Sequence, residues 1–231
     1  MQKPLLPQAV DATLVCPPSL TGKNSLARSC SDAAVRLSIG AALFVGTAVA
    51  TADTHEFSLL GSLGGESCVG NGLNDLGQVV GACQLAGGGF RATVWNGTTP
   101  TNLGSPGGGF NSSAAGINNA GQIVGSGNTV GSFFNHAFVW NGTTATDLGT
   151  LGGAGANGNA INAAGQVAGD SLGPGDIDDY QHKATVWNGT VATSLGTLGG
   201  QRSSGAAIND LGAVAGSSDT GDGQVHAMLW D

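Results

Sequence analysis

The chain has 231 residues, only 10% of them charged, and 42 are glycine. Four of its seven basic residues (Lys3, Lys23, Arg28 and Arg36) fall in the first 36 positions, and from Asp53 onward 13 acids stand against 3 bases. A body this acidic excludes a phosphate-binding surface for nucleic acid and docking on anionic lipid.

The first predicted element is a leader. Arg36 precedes Leu37–Ala50, 14 residues without a charge. A spanning helix needs about 20 apolar residues, whereas a secretory signal core needs about 7–15. Ala48-Val49-Ala50 and Ala50-Thr51-Ala52 both fit a small-residue cleavage site. Residues 1–52 are therefore expected to be an extension ending in a helical signal segment, and 53–231 the mature domain, with no membrane span after cleavage. The 36-residue lead is long for a signal and points to a start placed too far upstream. The alternative is a buried or anchoring helix that stays attached. Cys16 and Cys30 would leave with the leader, so Cys68 and Cys83 remain as one pair. They are symmetric about Asp75/Leu76. A hairpin with the four-residue loop Asn74–Gly77 sets them opposite each other as a close, non-hydrogen-bonded pair. A disulfide is expected, consistent with an extracellular location; the alternative is two buried thiols.

The rest of the chain repeats. Leu-Gly-x-x-Gly-Gly begins at Leu60, Leu103, Leu148 and Leu195; Asn before a short turn recurs at Asn74, Asn118, Asn162 and Asn209; the four tryptophans are Trp95, Trp140, Trp187 and Trp230. Three markers with one spacing of 43–47 residues define four units. The second unit reads as strands at Ala114–Asn118, Gln122–Ser126, His136–Trp140 and Ala145–Gly149, with Asn119-Ala120 and Asn141-Gly142 at the centres of its turns. Uncharged third strands such as His-Ala-Phe-Val-Trp suit burial on both faces. Four short antiparallel strands per forty-odd residues is the period of a propeller blade. The expected fold is all-β: a β-propeller-like array of four four-stranded blades. The leading segment HEFSLLGSLGG reads as a fourth strand that completes the last blade and closes the ring. The competing reading is an open array. Trp95, Trp140, Trp187 and Trp230 are assigned to packing between blades, each contributing at most roughly 4–6 kcal/mol for about 150–250 Å² buried.

Leu-Gly-Thr-Leu-Gly-Gly at 148–153, Gly-Ile-Asn-Asn-Ala-Gly-Gln-Ile-Val-Gly at 116–125 and His-Ala-Phe-Val-Trp at 136–140 together resemble the HAF repeat of bacterial extracellular proteins. The likeness covers most of Phe57 to Trp230. It implies secretion and a propeller-like array, and no established chemistry. Only one unit carries the full His-Ala-Phe.

At the histidine position of that motif stand Arg91, His136, Lys183 and His226. In a closed ring they form a cationic set on an acidic body, a candidate site for an anion or acidic glycan that strengthens below about pH 6.5. The alternative is four side chains at strand starts that bond neighbouring loops. Asn74, Asn118, Asn162 and Asn209 are read as turn residues bonding their own backbone. Asp176, Asp178 and Asp179 in the third-unit insertion are a weak candidate Ca²⁺ site, with Asp219 and Asp222 weaker still; the EF-hand pattern is not met. Asn96, Asn141 and Asn188 begin Asn-Gly-Thr and match glycosylation acceptors, but are explained first as turns.

No nucleophile–base motif is present, the only two glutamates are Glu56 and Glu66, and four histidines lack a zinc-ligand pattern. The expected function is that of a secreted, monomeric, non-catalytic binding module for a protein or a glycan, with no cofactor beyond the weak Ca²⁺ candidate. The alternative is a polysaccharide-directed hydrolase using loop carboxylates, such as Asp170 with the acids at 176–179.

Overall fold

The computed structural model describes residues 56–132, 134–176 and 181–231. The expected leader and Asp178 and Asp179 lie outside the described residues. Every strand belongs to one of four antiparallel sheets, taken up in chain order. The first holds β1 (Gly64–Leu73), β2 (Gln78–Leu85), β3 (Phe90–Asn96) and β4 (Thr99–Asn102). The second holds β5 (Gly108–Ile117), β6 (Gln122–Thr129), β7 (Asn135–Asn141) and β8 (Thr144–Asp147). The third holds β9 (Ala156–Ile161), β10 (Val167–Ser171), β11 (Lys183–Asn188) and β12 (Val191–Gly196). The fourth has three strands, β13 (Gly199–Ile208), β14 (Val214–Thr220) and β15 (Val225–Trp230).

Each sheet packs face to face on the next, so β3, β7 and β11, the third strands of the first three sheets, are largely buried on both sides. Ala92, Thr93, Val94 and Trp95 in β3 are all buried. The first joint gathers Val80, Val94, Leu103, Ala114, Ile117 and Trp140, and the second gathers Val124, Ala137, Leu148, Val167 and Trp187. Trp95, Trp140 and Trp187 are fully buried as expected, whereas Trp230 is only half-buried, since no described sheet covers β15.

The shared spacing of the Leu-Gly and Trp markers has a direct cause. The indole N–H of Trp95 donates to the Gly61 carbonyl at 2.7 Å, and that of Trp187 to the Gly149 carbonyl at 3.3 Å. Each glycine sits just before the sheet to which its tryptophan belongs. The second unit breaks the rule: the Gly104 carbonyl accepts from the Ser112 hydroxyl at 2.6 Å, and the Trp140 indole N–H has no partner among the described residues.

Three expectations are corrected or refined. The leading segment does not complete the last sheet. Its described bonds go to the first one, where Gly61 N–H donates to Thr98 O at 2.8 Å and Gly61 O is taken by Trp95. Nearby partners satisfy that backbone first, so the fourth sheet stays three-stranded and the described pairings close no ring. The Asn-Gly turns are displaced by one residue. Asn141 pairs with Thr144 and Asn96 with Thr99, so Gly142-Thr143 and Gly97-Thr98 are the central pairs. Asn stays in the strand and Gly takes the first central place at φ 61 and 58. The first hairpin departs by one residue from the expected four-residue loop: Leu73 pairs with Val79 and Asn74 N–H donates to Gln78 O at 3.1 Å, and a register shift between Gly70 and Gly72 restores the expected pairing of Cys68 with Cys83.

Cys68 pairs directly with Cys83, Cα to Cα 4.1 Å, and the two are disulfide-bonded. The bond closes a loop of sequence separation 15, so replacing both with Ser is expected to lower unfolding free energy by about 3 kcal/mol in urea titration.

The glycine in the middle of each second strand follows from the same bulges. The register shift between Ala114 and Gly116 carries the β5 backbone over β6, so a Cβ at Gly125 would lie 2.0 Å from Ser113 O; at Gly169 it would lie 2.0 Å from Asn157 O. Gly125→Ala is expected to cost about 2–3 kcal/mol by the same titration, because backbone and not a flexible side chain must give way.

Candidate functional site

The repeat's own residues build structure, and its departures build a site. Asn74, Asn118 and Asn162 serve twice. Each carboxamide oxygen accepts from the turn backbone, as expected; Asn118 Oδ1, for example, takes Ala120 N–H at 3.1 Å and Gln122 N–H at 3.0 Å. Each amide nitrogen also donates to the matching asparagine carbonyl of the next sheet, at 3.1, 3.0 and 3.0 Å in succession. This second role was not legible from one unit.

The four expected cationic positions lie near the start of the third strands at equivalent register, and no contact among the described residues joins any of them to another. The Arg91 guanidinium donates to Phe110 O and the Lys183 ammonium to Gln201 O, each on the following sheet. His136 Nδ1 lies 2.8 Å from Asp147 Oδ2 within its own sheet, and His226 is exposed. Arg91 and Lys183 thus act as clamps between sheets. Of the candidate Ca²⁺ ligands, Asp176 accepts the Gly173 N–H at 2.7 Å. Asp222 accepts from the Thr220 hydroxyl, which holds its exposed carboxyl below the usual range. Among the described residues no group of three His, Cys, Asp or Glu comes together as a metal site.

The third sheet carries what the others lack. Second strands read Val-Val-Gly-Ala, Ile-Val-Gly-Ser, Val-Ala-Gly-Asp and Val-Ala-Gly-Ser; only the third has an acid at that place, Asp170. Asp170 pairs across the strand with Asn157, and Asn159 lies two residues on, on the same face of β9. The carboxylate is buried and well partnered. His182 Nδ1 lies 2.6 Å from Oδ1, Asn157 Nδ2 donates to Oδ1 at 3.1 Å, and the Ser204 hydroxyl donates to Oδ2 at 2.7 Å. Burial pushes its pKa up, but the bonds from His182, Asn157 and Ser204, with the imidazole charge, outweigh it and hold the carboxyl below its ordinary value.

Above this carboxylate is a cleft of about 400 Å³ spanning the second, third and fourth sheets. Ser113 and Ser126 line one side, Asn157, Asn159, Asp170 and His182 the floor, and Phe134, Asn135 and Arg202 complete it. Arg202 is exposed. An amide relay feeds the floor: Asn128 donates to Asn135 and Asn135 to Asn157, both at 3.4 Å, and Asn157 donates to Asp170. The arrangement offers fixed dipoles, one ionised carboxylate with its imidazole, one guanidinium and one aromatic ring. Asp170 is the sole carboxylate among the described lining residues.

Asp170 figured in the sequence reading only as half of a carboxylate pair, and His182, Asn157 and Asn159 did not figure at all. The signal that finds them is a buried position where one repeat in four departs toward charge.

No protein-family model matches the chain, and no curated protein matches it.

Proposed function

We propose that the chain is a secreted, non-catalytic binding module of the HAF-repeat type, a propeller-like array of blades whose third blade takes a glycan in the cleft above Asp170. The departure of Asp170 and Asn157 from the repeat carries this reading: where the other units hold Ala82, Ser126 and Ser217, and Val69, Ser113 and Ser204, the third places a carboxylate and a carboxamide facing a cleft, beside Asn159. Side-chain amides and a carboxylate match sugar hydroxyls as paired donors and acceptors. Phe134 supplies an apolar surface for a ring face, and Arg202 a partner for a uronate carboxylate. A cleft of about 400 Å³ is within the range of small-ligand sites. The apolar segment at 37–50 and the Cys68–Cys83 disulfide support export. Arg91 and Lys183 are assigned here to the scaffold, as backbone carbonyls engage them.

Calorimetric titration with neutral and uronate-bearing oligosaccharides tests this. Arg202→Gln and Asn135→Ala are expected to weaken binding at least tenfold, Arg202→Gln with thermal unfolding in place. Failure of every oligosaccharide to bind, or equal binding by both variants, overturns the reading. The hydrolase alternative needs a second carboxylate beside Asp170; reducing ends released by the wild type and not by Asp170→Asn would establish it instead.

A further inference from the structure

The three internal joints follow one rule, and both ends of the stack are left with half of it. At each joint the ladder asparagine of one sheet donates its Nδ2–H to the ladder asparagine carbonyl of the next. Each receiving carbonyl also takes its own turn glycine, as Asn118 O takes Gly121 N–H at 3.0 Å. Asn74 O takes only Gly77 N–H among the described residues, so one lone pair is left over. Asn209 uses its Oδ1 for Leu211 and Ala213, but its Nδ2 has no acceptor among the described residues. One end of the stack thus presents the acceptor of the rule and the other the donor.

Apolar exposure matches this. Val94 and Ile117 belong to the core of the first joint, and Val139 and Ile161 both pack against that of the second. The same places at the two ends are Leu229, 62% exposed, and Leu73, 73% exposed. Ala92, Ala137 and Ala184 are fully buried, whereas the equivalent Ala227 is exposed. The clamp position recurs too. Arg91 and Lys183 reach Phe110 O and Gln201 O; by register the corresponding pair across the ends is His226 and Glu66, both exposed.

We infer that the β15 face of one copy docks on the β1 face of a second copy, head to tail, continuing the internal joint with the Asn209 amide on the partner's free asparagine carbonyl. The interface is heterologous, so copies form a ring where the rotation closes and an open series where it does not. It replaces the monomer expected from sequence. Asp75 and Asp210 meet as like charges at this joint by the same register, so moderate salt strengthens the association.

Exposed cysteines test it in the full chain with Cys16 and Cys30 replaced by Ser. Leu73→Cys and Leu229→Cys chains, mixed and oxidised, are expected to give a mixed disulfide dimer at least tenfold above either variant alone. Light scattering of the wild type is expected to show a mass rising with concentration, and Leu229→Glu to return it to the monomer. A wild type that stays monomeric at every concentration overturns the inference. So does the absence of the mixed dimer, which leaves the ends to some other segment or partner. A chain bearing both cysteines that forms only an internal bond overturns it in favour of closure within one chain. Glycan titration of the Leu229→Glu monomer keeps this result separate from the fate of the cleft.

Discussion

Trp187→Ala is expected to lower the unfolding free energy by about 3–5 kcal/mol in urea titration, the largest loss of any single truncation in the stack. The indole is fully buried and packs in the second joint with Val124, Ala137, Leu148 and Val167. It also donates to Gly149 O, so truncation opens a cavity and strands a carbonyl at the crossing into the third sheet. Trp230→Ala, at a half-buried equivalent position, is expected to cost clearly less. Equal losses at the two sites would show that a further layer covers β15. Trp140 makes a useful third case. Its ring is equally buried and lies 5.9 Å from Phe138, but its N–H has no partner among the described residues. Trp140→Phe is therefore expected to be tolerated better than Trp187→Phe, because no hydrogen bond is lost.

The second large effect is at Asp170. Asp170→Ala is expected to cost about 3 kcal/mol, because Asn157, Ser204 and His182 are left facing a buried void. The effect depends on pH in a definite direction. The folded-state pKa of Asp170 is depressed, so the unfolded chain, with an Asp value of about 3.9, binds more protons in the acid range. The stabilisation is therefore complete above about pH 5 and is lost as pH falls through the folded value. Denaturation midpoints of wild type and Asp170→Ala from pH 6 downward are expected to converge in acid. A constant gap would assign the loss to packing alone.

The same residue joins stability to the proposed binding role. Asp170 ties the third sheet to the fourth through Ser204 and, through Asn157 and Asn135, to the second. A ligand in the cleft would contact side chains that are already held by one another, which limits the ordering cost of binding. Arg202 at the exposed edge lies outside that network, so its substitution separates ligand contact from scaffold support.

Most of the strand layout was legible before any coordinates. Strands and turns are written in short-range patterns: alternating apolar residues, and asparagine and glycine at the corners. Cys68 and Cys83 were expected to pair by counting outward from a four-residue turn, and they do pair, because the register shift at Gly70/Gly72 offsets a turn displaced by one residue. Even there, small shifts escaped. The one-residue displacement at Gly142 and the bulges at Gly70/Gly72 and Ala114/Gly116 depend on how strands twist against the next sheet. The site was less legible. Asp170 and His182 are 12 positions apart across a variable loop, and Ser204 comes from another sheet; no local pattern brings the three together.

The amino-acid sequence by itself determined four repeating all-β units, their hairpins and the disulfide, since each depends on neighbours within one unit, and it marked Trp95, Trp140 and Trp187 for burial. Only the tertiary structure decided that the leading segment serves the first sheet, that the asparagines form a ladder from sheet to sheet, and that the third sheet gathers a carboxylate, an imidazole and amides under a cleft. Those outcomes depend on which surfaces meet when sheets stack. Residues far apart in the chain compete there for the same carbonyls and the same buried space, and that competition leaves no local periodicity to read.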